Sequence, residues 1–206
     1  MNYQPKDAFY RRAKKEGYRS RAAYKLLEIN QRYRLIRPGA RVVDLGAAPG
    51  GWLQVAVHLV GPHGIVLGVD LQPIAPLGSK NIIVLQDDIT KEGTRAKIKD
   101  LLAGPADCVL SDLAPALTGI RDTDVSRALE LFDYARGLAL GILAEGGNFL
   151  AKTFQAPETA TVVAELKRHF SSVTRTRPDA TRKASSEIYL VAQDFKKLAA
   201  QKSPAN

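Results

Sequence analysis

The sequence is poor in residues that bind metals or form disulfides, with one cysteine and three histidines among 206 residues. A single cysteine cannot form an internal disulfide, which is typical of chains that fold in a reducing compartment. The histidines, His58, His63 and His169, have none of the spacings found in metal sites, so we predict no metal site. We expect Cys108 to be a small buried residue of a strand.

Long apolar runs are also missing. No stretch reaches the length of a transmembrane helix, and residues 2–20 are polar and basic where a secretory signal would be apolar. We therefore expect a cytoplasmic protein that does not enter a membrane. Hydrophobic residues make up 45% and charged residues 25% of the chain, which predicts an ordinary globular domain.

Acidic residues are scarce only at the start of the chain. Residues 1–41 contain twelve Lys or Arg and three acids, which accounts for the whole net charge of +9. Residues 42–206 contain 18 residues of each sign. A neutral body behind a basic arm favours a polyanionic partner such as nucleic acid over a merely solubilising charged helix.

Apolar, β-rich segments alternate with helical patterns along most of the chain. Strands are predicted at 41–45, 65–70, 81–85, 106–112, 148–154, 172–176 and 187–193. Helices are predicted at 20–32 with Ser20 as a cap, and at 50–60, 92–102, 123–143 and 157–170. The alternation is typical of a parallel, doubly wound α/β sheet. We expect one domain: a basic helical extension (1–38), a core (39–194) and a flexible tail (195–206).

Residues 44–52 read DLGAAPGGW, a turn of small residues between a predicted strand and helix. A dinucleotide fingerprint would read Gly-x-Gly-x-x-Gly, which this turn does not. Pro49 removes an N–H donor, so the turn favours a small anion, such as an amino-acid carboxylate, over a pyrophosphate. The glycines that we expect to contact the ligand are Gly46, Gly50 and Gly51.

Two acids follow the next two predicted strands. Asp70 could accept hydrogen bonds from a ribose diol, and its charge would repel the 2′-phosphate of NADP. Asp88 could meet an adenine amine. Either acid alone is at least as well explained as a turn residue or helix cap. Together, at successive strand ends beside the turn, they indicate an adenosine with an amino-acid tail, which is S-adenosylmethionine.

Four charged residues stand in apolar surroundings. Lys152 lies inside the run FLAKTF, where an unpaired ammonium would be costly. Asp112 follows an apolar strand, Glu187 starts another, and Lys25 has apolar neighbours in a helix. Each has an ordinary explanation: an edge-strand lysine, a turn or cap, a solvated strand end and a solvated helix lysine.

Six segments, in this order, carry a resemblance to a known family. They are YRSRAAYKLLEI, DLGAAPGGW, GVDL, SDLAP, FLAKTF and SSEIYLVA. The chain resembles the FtsJ/RrmJ-type ribose 2′-O-methyltransferases over residues 8 to 195, most of all the bacterial members that modify large-subunit ribosomal RNA. The resemblance implies a Rossmann-like methyltransferase fold, with a seven-stranded, mostly parallel sheet, an antiparallel last strand and helices on both faces.

The resemblance also implies site residues. The family's catalytic tetrad falls on Lys25, Asp112, Lys152 and Glu187, with Lys152 as proton acceptor or as a protonated group that orients the ribose oxygen. In the family the turn holds the methionine end of S-adenosylmethionine and a tryptophan closes over it, a role that falls on Trp52. The implied cofactor contacts are Gly46, Gly50, Gly51, Trp52, Asp70, Asp88 (or its neighbour Asp87) and Asp112.

The implied substrate is RNA, with a uridine in the A-loop of 23S ribosomal RNA as the target, within the large subunit. Transfer RNA is an alternative, and an NAD-dependent oxidoreductase or a non-catalytic RNA-binding module are alternatives of other classes. We expect a monomer that acts in rRNA processing and ribosome biogenesis. The side chains expected to hold RNA phosphates are Arg11, Arg12, Lys14, Lys15, Arg19, Arg21, Arg175, Arg177, Arg182 and Lys183.

Overall fold

The computed structural model describes residues 8–116, 118–182 and 185–197. Its elements, in chain order, are α1 (Ala8–Lys15), α2 (Ala22–Tyr33), β1 (Arg41–Leu45), α3 (Gly51–Val60), β2 (Ile65–Asp70), β3 (Ile82–Gln86), α4 (Thr94–Leu102), β4 (Ala106–Ser111), α5 (Arg121–Ile142), β5 (Leu143–Phe154), α6 (Thr159–His169), β6 (Phe170–Thr176) and β7 (Glu187–Phe195).

The strands form one seven-stranded sheet in the order β3-β2-β1-β4-β5-β7-β6. The pairs from β3 to β5 are parallel, and β7 is antiparallel to both β5 and β6. The predicted sheet with an antiparallel last strand is therefore confirmed. The strand order reverses direction between β1 and β4, so the loops that follow these two strands diverge and leave room for a ligand.

Each face of the sheet is covered by helices, because the buried strands are apolar on both sides. One core contains Ile98 of α4, Phe132 of α5 and Leu166 of α6. The other contains Ile29 of α2 and Leu53 of α3. The loops beyond the carboxyl ends of β1, β2 and β4 are thus held by two packed layers.

A third, small cluster attaches the N-terminal extension to the body. Ala13 of α1, Tyr24 of α2 and Ala180 of the β6–β7 loop are buried together. Arg21 donates a hydrogen bond to the carbonyl of Ala180. The backbone N–H of Asp179 donates to Glu28 Oε2 at 2.8 Å. The basic arm and the β6–β7 loop therefore pack as one unit.

Most boundaries lie within two residues of the sequence predictions, and three differences are informative. Helix α2 is capped by Arg21 without a side-chain hydrogen bond, so the prediction of Ser20 as its cap was wrong. Strand β5 begins at Leu143, before the predicted start at 148, and its pairing with β4 has a register irregularity between Leu143 and Asn148, where Gly146 has φ 76°. Strand β7 reaches Phe195, and most of the predicted tail lies outside the described residues.

Across the described ranges, none of the helices has the length and apolar composition needed to cross a bilayer.

Candidate active site

The turn after β1 is fixed to the end of β2. The N–H groups of Gly46 and Ala47 donate to the carbonyl of Val69 at 2.9 and 3.2 Å. Asp70 Oδ2 accepts a hydrogen bond from the Ala48 N–H, and its Oδ1 accepts one from the Gln72 N–H, both at 2.8 Å. Asp70 therefore holds the shape of the turn, a role additional to the ribose contact predicted for it.

The glycines of the turn are required by neighbouring protein atoms. A Cβ on Gly46 would lie 2.8 Å from Leu113 Cδ2, and one on Gly51 would lie 2.2 Å from Ser20 Oγ. Gly46 also has φ 78°, a conformation that favours glycine. The sequence prediction attributed these glycines to close ligand approach, whereas the structure shows close approach of the protein itself.

Trp52 lies in the core below the turn. Its side chain is buried, and its Nε1–H donates to the carbonyl of Ala22 at 2.8 Å. Its ring centroid lies 6.0 Å from that of Tyr189. The ring is packed between α2 and the sheet, and the role expected for the indole over the cofactor stays a prediction. Trp52 supports the turn from beneath.

The two adjacent acids after β3 differ in their partners. Asp87 pairs with Lys97 at 2.7 Å, and this hydrogen bond is the main cause that lowers its pKa. Asp88 Oδ1 accepts hydrogen bonds from the Thr90 N–H and hydroxyl, which lower the pKa of Asp88. Asp88 is thus a turn residue, and it remains the better candidate for a ligand contact because Asp87 is turned to α4.

The four tetrad residues come together at the ends of β4, β5 and β7. Lys152 Nζ lies 3.1 Å from Asp112 Oδ1 and donates to the Asp112 carbonyl at 2.7 Å. Lys25 Nζ, on α2, lies 3.1 Å from Glu187 Oε2. The side chains of Lys25 and Lys152 are 9% and 6% exposed, so both ammonium groups depend on these partners.

Tyr189 joins the two ion pairs, and the sequence analysis did not identify it. Its hydroxyl accepts a hydrogen bond from Lys25 Nζ at 3.0 Å and donates one to Asp112 Oδ1 at 2.6 Å. Burial, and then the charge of Asp112 and the hydrogen bond to it, raise the pKa of Tyr189 well above its ordinary value. The hydroxyl stays protonated and completes a path from Glu187 to Lys152.

Asp44 is a buried acid at the end of β1. It is 0% exposed, and within the described part of the chain neither of its carboxyl oxygens has a hydrogen-bond partner. Burial, followed by the charges of Asp112 and Asp70, raises the pKa of Asp44 well above its ordinary value. Asp44 therefore favours its neutral form, and the negative charge near it comes from Asp112 and Asp70.

The expected RNA-binding residues fall into two groups. Several are exposed on α1, on β6 or in the β6–β7 loop, namely Arg11, Arg12, Lys14, Lys15, Arg175 and Arg182, although Arg12 also pairs with Glu16 at 2.8 Å. Others donate to backbone carbonyls and organise loops, namely Arg19, Arg21 and Arg177. Lys183 lies outside the described residues.

This fold and arrangement of acids define a Rossmann-like methyltransferase. Residues 18–195 match the family of FtsJ-like methyltransferases, and the chain belongs to that family. It uses S-adenosylmethionine as methyl donor.

Similar proteins with assigned names are also methyltransferases. The chain is 48% identical to the ribosomal RNA large subunit methyltransferase E of Methanothermobacter thermautotrophicus, over 93% of this chain and 90% of that protein. It is 45% identical to the protein of the same name from Syntrophobacter fumaroxidans, over 96% and 100%. A crystal structure of a Plasmodium falciparum protein assigned to the ribosomal RNA methyltransferases matches with TM-score 0.78 and 28% identity, covering 86% of this chain and 98% of that one.

The residues at the strand ends fit S-adenosylmethionine. The cofactor carries a sulfonium, an ammonium and a carboxylate. The charges of Asp70 and Asp112, both of which act on the buried and unpartnered Asp44, suit the two positive charges. Asp70 is held between two backbone N–H groups at the end of β2, where it can also face a ribose.

We predict that Tyr189→Phe lowers the single-turnover rate of methyl transfer about tenfold or more, since hydrogen bonds to charged groups contribute roughly 1.5–3 kcal/mol. Phenylalanine keeps the ring that packs beside Trp52, so the fold and cofactor affinity should be retained. The double variant with Lys25→Met should be little slower than Lys25→Met alone. If the rate losses of the two single variants multiplied in the double variant, the hydrogen-bonded path from Glu187 to Lys152 would be contradicted.

A second prediction concerns pH and Asp44. Because its pKa in the folded state is raised, folding retains a proton that the unfolded chain releases above a pKa of about 3.9. Its contribution to stability therefore falls as pH rises. Asp44→Asn should reduce this fall by about 1.4 kcal/mol per pH unit below the folded pKa.

The measurement is urea unfolding at a series of pH values above the unfolded pKa of about 3.9, where the fall in stability should appear. The exposed Asp133 supplies the control, since Asp133→Asn should retain the wild-type slope. An Asp44→Asn variant with the wild-type dependence on pH would show that Asp44 is ionised in the folded protein.

Proposed function

We propose that this protein methylates the 2′-oxygen of a ribose in large-subunit ribosomal RNA, with a uridine of the A-loop as the target. The proposal rests mainly on the position of Lys152 next to the turn after β1. Its buried amine contacts both the backbone carbonyl and the side-chain carboxylate of Asp112. The names of the relatives support the choice of ribosomal RNA over transfer RNA.

The surface supports a nucleic-acid substrate. The exposed basic residues of α1 lie on a segment that packs against the β6–β7 loop, and that loop leads directly to Glu187. Phosphates bound along this unit would place a ribose near the tetrad. A reaction at a 2′-hydroxyl requires RNA, because DNA lacks that group.

Lys152 can serve the ribose oxygen in either protonation state. An ammonium group has three N–H donors, of which two face the carbonyl and carboxylate of Asp112 and one is left for the 2′-oxygen. A neutral amine would use both of its N–H groups on Asp112 and leave its lone pair for the 2′-hydroxyl proton. In both cases the two contacts with Asp112 determine the direction of the remaining N–H or lone pair of the Lys152 nitrogen.

The other members of the network fix that geometry. Tyr189 donates to the same Asp112 oxygen that lies near Lys152, so the carboxylate cannot rotate freely. Lys25 donates a hydrogen bond to the Tyr189 hydroxyl oxygen, and Glu187 balances the charge of Lys25. Preorganised groups of this kind lower the barrier by holding the reacting atoms in register.

We propose that S-adenosylmethionine is held by the turn after β1, by Asp70, by Asp88 and by the Asp112 loop. When bound, the cofactor supplies an electrophilic methyl group. The N–H groups at the start of α3 suit its carboxylate. We further propose that the protein is a cytoplasmic monomer built as one domain, with residues 1–38 as its RNA-binding extension.

The Lys152 proposal predicts that Lys152→Ala retains the fold and binds S-adenosylhomocysteine with wild-type affinity. Single-turnover methyl transfer to ribosomal RNA should fall at least about 100-fold, as expected for loss of a general base or an orienting group. The control is Lys99→Ala, on the exposed side of α4, which should transfer at the wild-type rate.

Lys152→Arg separates the two roles of the amine. Arginine keeps the charge but cannot accept a proton near neutral pH. If Lys152 removes the proton, arginine should be as slow as alanine and the wild-type rate should rise with pH to a plateau. If Lys152 orients the oxygen, arginine should retain part of the rate. Wild-type transfer by Lys152→Ala would reject the assignment.

A further inference from the structure

Arg19 has partners that a phosphate-binding arginine would not have. Its guanidinium Nη1 donates to the carbonyls of Pro49 at 3.1 Å and Ala75 at 2.6 Å. Its Nη2 donates to the carbonyl of Pro76 at 2.6 Å. A guanidinium has five donors in a planar fork and can serve several carbonyls at once. Arg19 therefore connects the turn after β1 to the loop after β2.

Asp70 also joins the turn after β1 to the loop after β2. Asp70 accepts the N–H groups of Ala48 and Gln72, whereas Arg19 donates to carbonyls of the same two segments. The spacing between the segments is thus set by one anion and one cation. In the proposed function the first segment faces the amino-acid end of the cofactor and the second follows the strand that faces its ribose.

The backbone at Arg19 is held against α3, which fixes the point from which the arginine side chain extends. The Arg19 N–H donates to Gln54 Oε1 at 2.8 Å. Gln54 Nε2 in turn donates to the carbonyl of Gly17 at 2.9 Å. Ser20, the next residue, lies directly against Gly51.

Gly50 shows how closely Arg19 approaches the turn. A Cβ on Gly50 would lie 3.1 Å from Arg19 Nη1 and 3.3 Å from its Cδ, and Gly50 has φ 107°. The backbone conformation favours glycine at this position, and an added Cβ would lie in tight contact with Arg19.

We propose that Arg19 is a positioning residue for cofactor binding, which holds the turn after β1 at a fixed distance from the loop after β2, and that it does not bind RNA phosphate. This replaces the RNA contact expected for Arg19 from the sequence. The proposal rests on the placement of the cofactor under the proposed function.

The test compares Arg19→Gln and Arg19→Lys with the wild-type chain, using S-adenosylhomocysteine in titration calorimetry. Both variants should bind about tenfold or more weakly, because glutamine lacks the charge and lysine lacks the fork that reaches both segments. Hydrogen exchange should rise in the segments 46–51 and 71–77, while the melting temperature reports whether each variant is folded. Since lysine is the milder change, it remains informative if glutamine prevents folding.

RNA binding supplies the readout that separates the two roles. With a labelled single-stranded RNA, the slope of log affinity against log salt should be unchanged in both Arg19 variants. The control Arg11→Gln, on the exposed side of α1, should lower the slope by about 0.7 and leave the affinity for S-adenosylhomocysteine unchanged.

Unchanged affinity for S-adenosylhomocysteine in Arg19→Gln, or wild-type affinity in Arg19→Lys, would overturn the proposal. A lower salt slope in Arg19→Gln would return Arg19 to the phosphate contacts. If the wild-type chain itself failed to bind S-adenosylhomocysteine, or if Asp70→Ala bound it as well as wild type, the placement of the cofactor would be rejected instead.

Discussion

The active site depends on two lysine side chains that are nearly buried and that each need a carboxylate partner. Lys25 lies on α2 and Lys152 on β5, and the Nζ of each is 3.1 Å from a carboxylate oxygen. Because an isolated buried ammonium is costly, the positions of α2, the β4 end and β7 must agree for either lysine to be tolerated. The Tyr189 hydroxyl makes the two pairs one network, since it accepts from Lys25 and donates to Asp112.

This constraint links the extension of the chain to its catalytic core. Helix α2 supplies Lys25, and the segment just before it supplies Arg19, which holds the turn after β1. Helix α1 precedes this segment and packs with Ala180 of the β6–β7 loop, which leads to Glu187. This N-terminal stretch therefore supplies Lys25, holds the turn after β1 and packs with the loop before Glu187. Residues 1–41 also carry the entire excess of positive charge, so the residues that assemble the site and those expected to attract RNA lie in the same part of the chain.

The sequence predicted the parts of the site that break a local rule. A lysine within FLAKTF and an acid at the start of a hydrophobic strand are unusual, and both belong to the observed network. Tyr189 breaks no such rule, because a tyrosine in a strand is an ordinary core residue. Its signal was the alternation of a strand, which puts residues 187 and 189 on the same face. The sheet was predictable from its apolar runs, since strands buried on both faces are continuous in sequence.

Contacts between distant segments could not be predicted from local patterns. The three glycines of DLGAAPGGW were interpreted as leaving space for a ligand. In the structure the space beside them is taken by the side chains of Leu113, Arg19 and Ser20. Trp52, expected over the cofactor, donates a hydrogen bond to the Ala22 carbonyl, a contact that no local pattern indicated. Arginines counted as RNA contacts, such as Arg19 and Arg21, are used to hold loops. Charge in the sequence shows how many cations a segment has, whereas only the fold shows which of them face solvent.

The central claim is that this network acts on a ribose oxygen of ribosomal RNA. The most direct measurement supplies S-adenosylmethionine with a trideuterated methyl group, together with large ribosomal subunits that lack 2′-O-methylation, and locates the label by nucleoside mass spectrometry and alkaline hydrolysis. The account predicts the label in one 2′-O-methyluridine of the A-loop, at a linkage that alkali no longer cleaves. A label on a base, or in transfer RNA alone, would contradict it.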